Sequence, residues 1–224
     1  MFKAENHLPK ELRFFIVTVL VVGIVFRFIN INKKDYWNDE IYTSLRISGY
    51  TSREVKQQVY TGRQISVEEL LRYQSVNPDK SVIDTVKGLA KEEAQLPPLY
   101  FVMVRLWAQW LGSSVAMVRS LSAVMSLFAF PCLYWLCLEL FDSPMVGSVA
   151  VMLLAASPFQ VLYAQEARMY SLWSIQVLLT STAFLRAIRL NTKFSWGIYA
   201  ATIVLGLYTH LLSTLVIIIS HHYY

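Results

Sequence analysis

Five apolar stretches, residues 14–31, 118–140, 145–163, 170–190 and 196–220, dominate this chain. Each is close to the roughly 20 residues that a helix needs to cross the hydrocarbon core of a bilayer. Inside lipid, every backbone N–H and C=O must be satisfied within the crossing segment, so runs of this length and apolarity are read as helices. The remaining composition agrees: 55% of the 224 residues are hydrophobic, 16% are charged, and the mean hydropathy is +0.43. An ordinary soluble domain is excluded. The expected fold is an all-α integral membrane protein, with a first span at 14–31, a long extracytoplasmic loop at 32–117, and four further spans within 118–220.

Charge decides which way the spans run. The net charge of +5 comes from basic residues scattered through loops, without a continuous basic patch interleaved with aromatics, so no nucleic-acid partner is expected. Lys3, Lys10 and Arg13 precede the first apolar run as they would in a signal peptide, but no small-residue cleavage pattern follows. That makes the run an uncleaved anchor with a cytoplasmic N-terminus. The segment 98–111 is short for a span and carries Arg105 and Gln109 beside Trp107 and Trp110, which suits a helix at the membrane interface. If it does not cross, Arg186, Arg189 and Lys193 fall in a short cytoplasmic loop, as the positive-inside rule favours. Asp39, Glu40 and Glu166 then share the non-cytoplasmic side. Cys132 and Cys137, five apart in one apolar run, suit neither a bridge nor a metal site.

The long loop carries helix-start signals. Ser66 with Glu69, Ser81 with Asp84, and Thr51 with Glu54 each have the spacing of a capping box. After Ser81, the residues Val82, Ile83, Val86, Leu89 and Ala90 recur on one helical face, so two or three amphipathic helices lying on the membrane are expected. At the far end, the sequence Leu215 to Tyr224 follows directly on a span, which suggests the N-terminal part of a larger bundle.

Polar residues at membrane boundaries are costly and are read as candidates for function. Asp39 and Glu40 follow Tyr36 and Trp37 after the first span; they are either a poised acid–base pair or two solvated acids beside an aromatic belt. Gln165, Glu166, Arg168 and Tyr170 interrupt two apolar stretches. In a helix, Glu166 and Tyr170 share a face and Arg168 points away. Arg168 could clamp a phosphate, or pair internally with Glu166. Arg119 sits at a span end, where it could face a lipid phosphate or snorkel. His210, inside the last apolar stretch, is more commonly a helix–helix hydrogen-bond partner than a ligand. Pro97 and Pro98, preceding Tyr100, set a rigid helix entry. Oxygen ligands make a divalent metal ion chemically accessible, but no complete metal-binding spacing is present.

Taken together, Asp39-Glu40, Pro97-Pro98-Leu99-Tyr100, Arg119-Ser120-Leu121-Ser122, Ser157-Pro158-Phe159 and Gln165-Glu166-Ala167-Arg168-Met169-Tyr170 resemble the GT-C membrane glycosyltransferases. Within that superfamily the chain resembles the bacterial family 39-like proteins, which are similar to protein O-mannosyltransferases and lipid A aminoarabinose transferases. The resemblance implies an inverting, multi-pass transferase of the cell membrane. It would move a sugar from a polyprenyl-phosphate donor to a hydroxyl of a protein, lipid or glycan on the non-cytoplasmic face. On that reading Asp39 is the general base with Glu40 beside it. Arg168, Arg119 and Tyr170 meet the donor phosphate, and Glu166, Gln165, Tyr100 and His210 line the substrate cavity. Relatives often carry His directly before the two prolines, where this chain has Leu96, and they continue well beyond five spans. Two other classes stay open. An ion- or proton-coupled transporter would use Asp39, Glu166 and His210 along a path, and a non-catalytic truncated fragment would fold without turning over a donor.

Overall fold

The computed structural model describes residues 9–222, with side chains to residue 219. Lys3 and the side chains of His221 and His222 lie outside the described residues. Among the described residues the regular elements are all helices, without a strand. Twelve α-helices run as α1 (Lys10–Phe28), α2 (Asn38–Ser48), α3 (Ser52–Val59), α4 (Val67–Leu71), α5 (Val82–Glu92), α6 (Leu99–Leu111), α7 (Val115–Phe141), α8 (Pro144–Ala156), α9 (Pro158–Ala164), α10 (Tyr170–Leu190), α11 (Lys193–Thr209) and α12 (Ser213–His222).

Two helices, α7 and α10, are long and apolar enough to cross a membrane; α8 and α9 make a third if taken as one bent span. The 27 residues of α7 cover about 40 Å. Ser114 caps its N-terminus by accepting from the Met117 amide, and Asp142 ends it in the left-handed conformation. Against α7 pack α8 and α10, and α1 and α11 lie outside these. Phe130, Val151 and Ala155 form the core under α1.

The apolar run 145–163 is not one rod. It bends by 62° where Ser157 ends α8 and Pro158 opens α9. Proline brings no N–H, so the Leu154 carbonyl loses the donor that would have reached it one turn later. Arg27 of α1 replaces that donor: its guanidinium lies 3.2 Å from both the Leu154 and Ala155 carbonyls, 2.7 Å from its own Gly23 carbonyl, and over the Phe130 ring. Gly23 makes the approach possible, because a Cβ there would stand 2.5 Å from the Ala155 carbonyl oxygen. The run 196–220 is broken as well. His210 is extended at the end of α11, and α12 begins three residues later.

Helices α2 to α6 form a separate polar layer across one end of the bundle. Three starts follow the predicted caps, with reciprocal capping boxes at Thr51/Glu54 and Ser81/Asp84. At Ser66 only half the box forms, since the Glu69 carboxylate pairs with Arg63 instead. Arg105 does not ride at an interface as its helix position suggested. It is fully buried and donates to the carbonyls of Ile47, Asn77 and Lys80 and to Thr85 Oγ1, binding α6 to the loop before α5 and the end of α2. Arg46, also buried, holds Glu92 at 2.6 Å and Glu93 at 2.8 Å. Gly49 ends α2 at φ 87°, and a Cβ there would meet the Lys80 side chain at 2.6 Å.

Candidate functional site

Five pieces of chain meet at the polar end of the bundle: the segment after α1, the first turn of α2, the N-terminal turns of α6 and α7, and the turn 165–169 between α9 and α10. Asp39 and Glu40 occupy the first turn of α2, where the helix dipole favours carboxylates. One turn of helix contains both, yet they face opposite environments. Glu40 is fully buried, whereas the Asp39 side chain is 38% exposed.

Glu40 is committed inside the protein. Its Oε1 accepts from Arg119 Nε at 2.8 Å and from the Ala167 amide at 2.7 Å, and its Oε2 accepts from Arg119 Nη2 at 2.7 Å. Arg119, equally buried, also donates to the carbonyls of Ile31 (2.8 Å), Lys34 (2.9 Å) and Asp35 (2.9 Å). A guanidinium has five N–H donors, and all five are spent here. The expected meeting of Arg119 with a donor phosphate is therefore corrected: no donor remains, and no face reaches solvent. The same holds for Glu40 as a catalytic group. Both fasten the segment after α1 and the turn 165–169 onto α2 and α7. The Tyr36 ring stacks on the Arg119 guanidinium. Burial pushes the Tyr36 phenol up to about 12, so it stays neutral while sharing a hydrogen bond with Ser44.

Arg168 is held quite differently. Its Nη2 lies 3.6 Å from Asp39 Oδ2, and its Nη1 makes long contacts of 3.4 Å to the Asp39 carbonyl and to Thr43 Oγ1. Its Nε is buried without a partner, as is one oxygen of Glu166. The other Glu166 oxygen binds Lys34, whose side chain is 30% exposed. Lys34 was not singled out from sequence, although two adjacent lysines at the far end of the anchor run against the positive-inside pattern and were a usable signal. The turn 165–169 is irregular and not helical, so the face shared by Glu166 and Tyr170 does not exist; Arg168 instead lies over α2.

Tyr100 is also corrected. It is sealed in the core rather than lining a cavity, and its hydroxyl pairs with Ser122 Oγ at 2.8 Å, which in turn donates to the Arg168 carbonyl. Burial pushes its phenol far up and keeps it neutral. Gln165 donates to the Phe26 and Ile29 carbonyls at 2.7 and 3.0 Å, closing the end of α1. It also reaches the rim of an apolar cavity of about 550 Å³ between α1, α8 and α9. His210 stacks on Trp173 with ring centroids 4.6 Å apart, and Tyr170 lies between it and Tyr163. Trp173 Nε1 is buried there with no partner.

What the arrangement offers is one accessible carboxylate, Asp39, facing a guanidinium with an unused donor, while Lys34 is held on Glu166. Among the described residues no group of three His, Cys, Asp or Glu side chains is close enough to hold a metal ion. In comparisons with known proteins, the chain matches no family model, no curated protein and no solved structure.

Proposed function

We propose that this chain is a membrane glycosyltransferase of the GT-C kind, transferring a sugar from a polyprenyl-phosphate donor to an acceptor hydroxyl. The observation that carries the reading is the 3.6 Å approach of exposed Asp39 to under-used Arg168, at one rim of a bundle of apolar helices. In this mechanism Asp39 takes the proton of the acceptor hydroxyl as its oxygen bonds to the anomeric carbon. The bond from that carbon to the phosphate oxygen breaks, and the electron pair leaves with the phosphate. Arg168 meets the growing negative charge. Glu40 and Arg119 hold Asp39 and Arg168 in register without touching substrate.

The proposed topology has five crossings, with α1, α7, the bent pair α8–α9, α10, and α11 with α12 traversing the bilayer. The 13-residue α6, about 20 Å long, stays in the extracytoplasmic layer. The N-terminus is then cytoplasmic and the Asp39 rim non-cytoplasmic.

The decisive experiment measures transfer from a radiolabelled polyprenyl-phosphate sugar in membranes. Asp39→Asn lowers the rate by roughly 10²-fold or more while insertion and folding are retained. Unchanged transfer in that variant removes the general-base assignment.

A further inference from the structure

The opposite end of the bundle carries a second charged constellation that the proposed reaction does not use. Glu139, in the last turn of α7, is nearly buried. It accepts from Trp135 Nε1 at 3.2 Å, from Arg186 Nη1 at 3.1 Å, and pairs with Arg189 Nη1 at 2.8 Å. Arg189 spends one nitrogen on this carboxylate and its Nη2 on the Glu139 carbonyl at 2.6 Å, its side chain being otherwise 59% exposed. Arg186 puts one nitrogen on Glu139, while its guanidinium lies over the Trp135 ring and is 49% exposed.

Beside Arg186 opens a cavity of about 180 Å³. Arg186, Trp135, Ala183, Leu190 and Ile198 line it. Phe194, 78% exposed, extends the apolar wall outward. Thr192 and Ser195 also line it, but their hydroxyls are occupied in the capping box that opens α11. Exposed Lys193 stands next to that cap. Counting Asp142 at the end of α7, three cations face two carboxylates, so the rim keeps a positive excess.

We propose that this cavity binds the phosphate headgroup of an anionic phospholipid, with the start of an acyl chain against Leu190, Ile198 and Phe194. Basic pockets between membrane helices are recognised sites for such headgroups. Two features choose a lipid over a free anion. The walls below the cations are apolar, and the pocket lies at the shared end of α7 and α10, the two helices able to cross a bilayer. The site rests on that crossing and not on the transferase reading, so it is tested without activity.

Native mass spectrometry of the full chain in detergent, titrated with phosphatidylglycerol and with phosphatidylcholine of the same acyl chains, gives the test. Phosphatidylglycerol binds more tightly, and Arg186→Gln and Lys193→Gln each weaken it about fivefold. Arg63→Gln, in the polar layer at the other end, leaves it unchanged. Lys193→Gln disturbs no buried group, which keeps the test decisive if Arg186→Gln fails to fold. Equal binding of the two lipids, no effect of Lys193→Gln, or displacement of the lipid by an equal concentration of inorganic phosphate each overturns the proposal.

Discussion

A guanidinium with five donors and five acceptors has nothing left to offer a substrate, and that separates Arg119 from Arg168 although sequence treats them alike. Both looked like phosphate ligands at the ends of apolar runs. What distinguishes them are the carbonyls of Ile31, Lys34 and Asp35 around Arg119, and backbone acceptors leave no signature in side-chain identity. Asp39 and Glu40 were likewise indistinguishable as neighbours; only the 100° step of a helix turns one to solvent and the other to the core. Removing one member of a buried pair strands the other charge. Glu40→Gln and Arg119→Met should each cost about 3–5 kcal/mol of stability, and Asp39→Asn less, about 1 kcal/mol, because Asp39 is part-exposed and its 3.6 Å contact to Arg168 is long. Denaturation in detergent reads the difference; equal losses for Asp39→Asn and Glu40→Gln would contradict the division of roles. A pH effect belongs to the polar layer. Burial alone raises the Glu92 pKa, but hydrogen bonds from Ser52 and Arg46 and the Arg46 charge outweigh it and bring the group from 4.5 to about 2. Because the folded value is depressed, this stabilisation is present above about 4.5 and is lost as pH falls toward 2. Hydrogen exchange at the Ser52 amide, which donates to Glu92 at 2.9 Å, should accelerate relative to the rest of the layer across that window, and Glu92→Gln should flatten the response.

Elements were legible where local chemistry names them. The caps at Thr51, Ser66 and Ser81 each opened a helix, because the signal lies within four residues. Breaks within apolar runs were harder. Hydropathy passes smoothly through Ser157-Pro158 and through His210, so both runs read as single rods, and the compensating Arg27 lies 127 and 128 residues away from the carbonyls it serves. The joint between α1 and α8 gives its own prediction. Gly23→Ala places a methyl against the Ala155 carbonyl, a contact that must shift backbone. It should cost about 1–3 kcal/mol, typical of overpacking, whereas Gly197→Ala, where a Cβ meets open space, should not. Thermal midpoints of the two variants compare them directly, and identical midpoints would refute the tight joint.

For the molecule as a whole, sequence separated the apolar bundle from the polar layer and named Asp39 and Arg168 from distant segments. The resemblance put both in one site, but their 3.6 Å contact depends on the Glu40–Arg119 pair and the Ala167 amide that fasten α2 to α7 and to the turn 165–169, which no local pattern encodes. On the proposed topology, Thr61→Cys and Lys193→Cys, placed singly in a background lacking Cys132 and Cys137, label from opposite faces of the membrane with an impermeant maleimide. Labelling from the same face would remove the five-crossing arrangement. The Glu40 contacts carry one more consequence, for the order in which a ribosome delivers this chain. Glu40 emerges long before Arg119, and Ala167 later still, so the nascent polar layer has an uncompensated acid until α7 arrives. Its docking is therefore a late event of biogenesis, completed only when the turn after α9 closes on it.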